Sequence, residues 1–179
     1  MDAGAPEAQL TGKLAVALNT LPTPERGGDE ESLGFARNAI IVAVGAVILD
    51  DADRILLVKH VPERKSFWQG KWICPGGRLQ VGEGIEAGIR REIWEETRLH
   101  IRLNRPLAPF ERIIRSEGGV RLHVVYIDYL AEKIGGELQP GDDVGEAAWI
   151  PRLQLPLLGE ALHADTRRLL DIAQLMGQV

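Results

Sequence analysis

Apolar and polar positions follow two different periods along this chain, and each change of period marks an element. The run AIIVAVGAVIL at 39–49 is rich in β-branched residues and predicts a largely buried strand. DDAD at 50–53 predicts a tight turn, and RILLVKH at 54–60 the returning strand of a hairpin. A charged and aromatic stretch, VPERKSFWQGK at 61–71, reads as a loop. Residues 72–74 form a short extended piece ended by Pro75-Gly76-Gly77. From about Gly84 to Arg98 the spacing turns helical. Ile85, Ile89, Glu92 and Glu96 follow the i, i+4, i+7, i+11 series of a core stripe, so two glutamates continue a line that begins as isoleucine. Ala87 and Trp94 give the roughly opposite side some apolar character.

Beyond the helix, 101–114 holds one or two strands around Pro106 and Pro109, and Glu117-Gly118-Gly119 predicts a turn. VRLHVVYIDYLA at 120–131 predicts a long strand whose loose alternation implies burial on both faces. A loop over 135–145, a short strand over 146–150 and a loop bracketed by Pro151 and Pro156 follow. The closing helix, about 160–176, places Leu162, Leu169, Ile172 or Ala173, and Met176 on one face. At the other end, Leu10, Leu14, Ala17 or Leu18, and Leu21 predict a short amphipathic helix before Pro22, Pro24, Gly27 and Gly28. Residues 1–37 thus read as an appendage to a domain at 38–179. That segment could cover the domain, join a second subunit in a homodimer, or fray. The simplest assembly is an α/β (α+β) fold, a mixed sheet with a helix on each side.

Composition narrows the function. A chain of 179 residues, 45% hydrophobic and 26% charged, is the size and make-up of one soluble domain. Its net charge of −5 gives no reason to expect nucleic acid as partner, yet leaves room for a phosphorylated small molecule whose charge a metal offsets. The single cysteine, Cys74, excludes an internal disulfide and reads as a buried strand residue. No apolar run is long enough to span a membrane, and the first twenty residues lack a basic cluster, so a cytoplasmic protein is expected. His60, His100, His123 and His163 show no paired metal spacing.

Candidate chemistry gathers on the central helix. Glu92, Glu95 and Glu96 are neighbours there, and three carboxylates so close repel one another unless cations sit between them. A solvated acidic face is the plainer reading, against which stands the isoleucine stripe that the acids continue. In the loop before the helix, Arg64 and Lys65 could meet phosphates while Phe67 or Trp68 stacks a base.

The whole stretch, Gly77, five residues, Glu83, seven residues, then Arg91-Glu92-Ile93-Trp94-Glu95-Glu96-Thr97-Arg98-Leu99, resembles the Nudix box. Gly77, Glu83, Arg91, Glu92, Ile93, Glu95, Glu96 and Leu99 match it at the required spacings, and Arg98 stands where the family has glycine. Trp72-x-x-Pro75-Gly76-Gly77 before the box and Gly141-Asp142-Asp143-x-x-Glu146-x-x-Trp149 after it extend the likeness. The resemblance implies a Nudix-type α/β/α sandwich and a pyrophosphohydrolase of nucleoside diphosphates linked to another group. It implies Mg²⁺, or Mn²⁺ in its place, held by Glu92, Glu95, Glu96 and the Gly76 carbonyl. Glu83 would hold water or assist a ligand, and Arg91 would orient the glutamates. Glu92, Asp143 and Glu146 are the candidate bases, with Asp143 a further ligand. Arg64, Lys65, Trp68 and Gly77 are the expected substrate contacts. Overall likeness leans to ADP-ribose or a nucleotide sugar; a pool-sanitising nucleoside triphosphatase and a non-catalytic nucleotide sensor are the alternatives.

Overall fold

The computed structural model describes residues 39–61, 68–141 and 144–176. The N-terminal segment 1–37 lies outside the described residues, as do Arg64, Lys65, Phe67, Asp142 and Asp143. Seven strands form one mixed sheet: β1 (Ile41–Leu49), β2 (Arg54–His60), β3 (Gly76–Arg78), β4 (His100–Pro106), β5 (Phe110–Ser116), β6 (Gly119–Gly135) and β7 (Val144–Pro151). The sheet order is β4-β6-β1-β2-β7, with β3 also paired to β1 and β5 to β6. Helix α1 (Ile85–Thr97) and helix α2 (Ala164–Ile172) complete the domain.

Strand alternation assigns the two faces. From β1 and β2, Val44, Ala46, Ile48 and Leu56 pack with Ile89 and Ile93 of α1. Val47, Ile55 and Leu57 pack instead with Leu169 and Leu170 of α2. The helices therefore cover opposite faces of a sheet that is apolar on both, which is the α/β/α sandwich expected. Ile89 and Ile93 are fully buried, each contributing roughly 1.5–3 kcal/mol of burial free energy. Ile85, assigned above to the same stripe, is 38% exposed, because the first turn of α1 projects beyond the core. The long strand runs further than its apolar stretch, over 119–135, because it pairs along its length with β1 on one side and with β4 and β5 on the other.

Three local differences from the sequence reading have physical causes. Strands β1 and β2 meet only at Leu49 and Ile55, and the predicted hairpin splays beyond that point. The chain at 73–78 wedges between them, Ile73 bridging to Val58 of β2 and Gly76–Arg78 pairing with 43–45 of β1. The loop at 151–156 is instead 3₁₀ turns over Arg152–Ala161, which tolerate Pro156 and bury Leu155 completely. Finally, α2 starts at Ala164 rather than near 160. Leu162 is extended in a bridge with Trp72, whose N–H donates to the Ala161 carbonyl at 2.8 Å and whose carbonyl accepts His163 N–H at 3.0 Å. Among the described residues, no helix is long and apolar enough to cross a membrane.

Candidate active site

The site begins with two adjacent glycines that are needed for different reasons. Gly76 has φ +155°, and a Cβ there would lie 2.5 Å from the Val44 carbonyl oxygen, because β3 presses backbone to backbone on β1. At Gly77 a Cβ would lie 2.5 Å from the carboxyl carbon of Glu92. The first glycine lets the lead-in strand enter the sheet. The second leaves the space in which the Glu92 carboxylate lies.

Arg91 organises the acids on the outer side of this space. Its Nε donates to Glu83 Oε1 at 2.7 Å and its Nη2 to Glu83 Oε2 at 2.9 Å, a two-point pairing that ties the turn before α1 to the helix. Nη1 reaches Glu92 Oε1 at 2.8 Å and Glu95 Oε2 at 3.0 Å. Nη2 also donates to the Arg78 carbonyl at 3.1 Å. One guanidinium therefore holds three carboxylates of the box.

The electrostatic consequences differ among the acids. Hydrogen bonds from Arg91, with the Gln80 N–H adding a weaker one, hold Glu83 well below the usual carboxylate range, at about 2. Glu92 is pushed upward, first by burial and then by repulsion from Glu96 and Glu95, although Arg91 opposes the shift. Glu83 is thus a fixed anion, whereas Glu92 has the greater appetite for a proton. Glu95 is the accessible acid, with its side chain 53% exposed.

Glu96 faces inward. It is 5% exposed, its Oε2 accepts Gly76 N–H at 2.9 Å, and its Oε1 lies 3.1 Å from His60 Nε2. In the sequence His60 has no second histidine at metal spacing. The missed signal was strand parity: His60 falls on the same face as Leu56, two positions removed twice over, where an apolar residue is expected. A second unforeseen group is Asp128 of β6, 7% exposed in the strand's apolar middle, opposite Gly45 and beside the Pro75 carbonyl. Its place inside VVYIDYLA was the available clue.

The loop before β7 reaches the box, as the C-terminal end of α1 shows. Gln139 N–H donates to the Thr97 carbonyl at 3.0 Å and Gly141 N–H to the Glu96 carbonyl at 2.9 Å. These bonds satisfy two of the carbonyls that a helix end leaves unpaired. Glu146, two residues into β7 rather than in the loop, pairs with Lys59 of β2 at 2.8 Å. Trp68 packs beside Ile73, Val58 and Tyr126, so its ring is part of the sheet's covering layer. At the helix exit, Arg98 adopts the left-handed conformation, φ 59° and ψ 19°, that the family's glycine would take.

Among the described residues, no three His, Cys, Asp or Glu side chains converge so as to hold a metal ion. The donor chemistry nevertheless suits a hard cation: Glu92, Glu95 and Glu96 offer only carboxylate oxygens, the first two bonded to Arg91 and the third to His60.

The NUDIX domain profile matches residues 40–171. An ADP-ribose pyrophosphatase of Methanocaldococcus jannaschii is 36% identical over 117 residues, 65% of each chain. An 8-oxo-dGDP phosphatase of Homo sapiens is 33% identical over 124 residues, covering 67% of this chain and 35% of that one. The chain thus spans less than two thirds of the length of these relatives. A MutT NUDIX hydrolase from Burkholderia pseudomallei superposes with a TM-score of 0.61 at 30% identity, over 75% of this chain and 98% of the other. A profile match running from the edge of β1 into the last turn of α2, over a box whose acids are gathered by one arginine, shows that the chain belongs to the Nudix hydrolase family.

Proposed function

We propose that this protein is a Mg²⁺-dependent pyrophosphohydrolase that cleaves the diphosphate of a nucleoside diphosphate linked to another group, with ADP-ribose or a nucleotide sugar as substrate. The observation that carries the reading is the Arg91 cluster, which keeps Glu83, Glu92 and Glu95 together, with the Glu92 carboxylate against Gly77. Sequence likeness to an ADP-ribose pyrophosphatase supports the substrate.

Glu92, Glu95 and Glu96 would hold the cation. When bound, it neutralises diphosphate oxygens and makes the attacking water more acidic. The water oxygen attacks one phosphorus, its proton passes to a carboxylate, and the bond from that phosphorus to the bridging oxygen breaks. Glu83 suits the proton-accepting role poorly, since Arg91 holds its carboxyl well below the usual range, which leaves Glu92 among the candidate bases. Arg91 prevents the acids from scattering before substrate arrives. Gly77 leaves room for the Glu92 carboxylate, which any larger residue would displace. Asp143 remains a proposed further ligand, and Arg64 and Lys65 proposed phosphate contacts.

A second reading, removal of a damaged nucleotide from the precursor pool, is supported by the likeness to an 8-oxo-dGDP phosphatase. The deciding experiment incubates full-length protein and Mg²⁺ with ADP-ribose, 8-oxo-dGDP and nucleoside triphosphates, identifying products. AMP and ribose 5-phosphate from ADP-ribose are expected. Glu95→Gln and Glu96→Gln should each lower turnover at least ~100-fold with the fold intact, since each removes a charge from the metal site. Turnover unchanged in both variants would refute the metal assignment, and ADP-ribose left intact beside a cleaved 8-oxo-dGDP would transfer the chemistry to the second substrate.

A further inference from the structure

We propose that His60 is a positioning residue for the metal site: from strand β2, outside the box, its imidazole fixes the Glu96 carboxylate in the orientation from which Glu96 binds the cation. The inference rests on the reading of Glu96 as a metal ligand.

Three observations carry it. The His60 and Glu96 side chains are 4% and 6% exposed, so their 3.1 Å contact is sheltered from competing water. The two Glu96 oxygens are held by different parts of the fold, Oε1 by His60 and Oε2 by the Gly76 N–H at 2.9 Å. A carboxylate has about four lone-pair sites, so both bonds leave each oxygen a free lone pair for a metal. Glu96 is therefore braced from two strands and still able to ligate, whereas Glu95 is held only from its own helix, by Arg91, with 53% of its side chain exposed.

The type of residue at position 60 matters as much as its place. Lysine or arginine would set a permanent positive charge against Glu96, in competition with the cation. Imidazole can donate one hydrogen bond without that charge. His60 Nδ1 is buried and has no hydrogen-bond partner among the described residues. An N–H at that atom would be a buried donor with nothing to receive it, so the geometry selects the tautomer with its proton on Nε2, aimed at Glu96. The register irregularity opposite Lys59 and His60 places its extra residue, Gly145, on β7, so β2 keeps its alternation and His60 stays on the Leu56 face. Groups that orient a metal ligand in this way typically alter metal affinity by roughly 10–100-fold when removed.

The test measures Mn²⁺ binding to the full-length protein without substrate, by the paramagnetic resonance of free Mn²⁺. In His60→Gln the amide nitrogen can replace the Nε2 donor, and in His60→Met nothing can. Expected are near wild-type affinity for the glutamine variant and an affinity at least ~10-fold weaker for the methionine variant, with equal circular dichroism. Equal affinity in all three proteins, or equal loss in both variants, overturns the role of His60. Wild-type protein that binds no Mn²⁺ overturns the metal reading itself, and the two failures are thereby distinguished. Should His60→Met not fold, the wild-type protein decides. On Mg²⁺ titration its His60 imidazole ¹⁵N signals should shift with the backbone amide of Gly76. A Gly76 amide that moves while His60 stays fixed overturns the proposal.

Discussion

Asp128 is a buried carboxyl whose Oδ2 has no hydrogen-bond partner among the described residues, and its surroundings set a pH dependence for the whole protein. Burial pushes it up from 3.8 to about 7. Its neighbours do not relieve the charge: it faces Gly45 and the Pro75 carbonyl, and it helps burial push the Cys74 thiol far up. Because its proton is held more tightly in the folded state, the folded chain keeps a proton that the unfolded chain has shed between about pH 4 and pH 7. Stability is therefore greatest below that window, falls as pH rises through it, and levels off above it. The integrated effect is on the order of 4 kcal/mol, so Asp128→Asn should flatten the profile and raise stability most above pH 7. Urea midpoints of both proteins at pH 5 and pH 8 provide the check. A wild-type midpoint that does not fall between these values would mean that the site admits water or a cation. At this scale the sequence was legible where residues obey a spacing rule, as with Glu92, Glu95 and Glu96. Local alternation shows only which face Asp128 and His60 take; strand pairing brings Asp128 to Gly45 and helix packing brings Glu96 to His60, and neither partner is written within a strand.

Elements were legible where one local preference dominated. β-branched residues marked β1, and helical periodicity marked α1 to within a residue or two of Ile85–Thr97. The 3₁₀ turns and the late start of α2 depended on Trp72, about ninety residues earlier, pairing with Leu162. No window of sequence contains both partners. The exit of α1 shows local preference overruled: Arg98 takes a left-handed conformation that costs a non-glycine residue about 1 kcal/mol. Its side chain returns part of that cost, with Nη1 3.3 Å from the Trp94 carbonyl and the guanidinium 5.9 Å from the Trp94 ring centroid. An exposed contact of this kind contributes about 0.5–1 kcal/mol. Arg98→Gly relieves the backbone and loses the contact, two effects of similar size and opposite sign. Its stability should lie within about 1 kcal/mol of the parent, with turnover unchanged, as read from thermal melts and initial rates. Altered turnover would mean that Arg98 serves the site and not only the helix end.

Across the whole molecule, the two helices are fastened to the sheet by different means. Helix α1 relies on Ile89 and Ile93, leaving its polar face to the acids, while α2 adds a buried ion pair to its apolar contacts. Arg112 of β5 pairs with Asp165 in the first turn of α2, and its Nε lies 2.7 Å from both carboxylate oxygens. Tyr126 of β6 donates its hydroxyl to Asp165 Oδ2 at 2.8 Å and stacks on Phe110 at 4.6 Å between ring centroids. The His163 ring, at the N-cap, accepts Asp165 N–H at 3.1 Å. Asp165 is 5% exposed, so removing its cation leaves a buried charge beside the Tyr126 hydroxyl and the His163 ring, sheltered from water. Breaking a buried pair from one side costs roughly 3–5 kcal/mol, and the partial exposure of Arg112 favours the lower end. Tyr126→Phe loses one hydrogen bond to a charged acceptor, roughly 1.5–3 kcal/mol. Arg112→Met should therefore lower the urea midpoint more than Tyr126→Phe does. Both should leave Mn²⁺ affinity unchanged under native conditions, because the box lies on the α1 face and the pair on the α2 face. A loss of metal affinity in folded Arg112→Met would show that the two faces are coupled through the sheet.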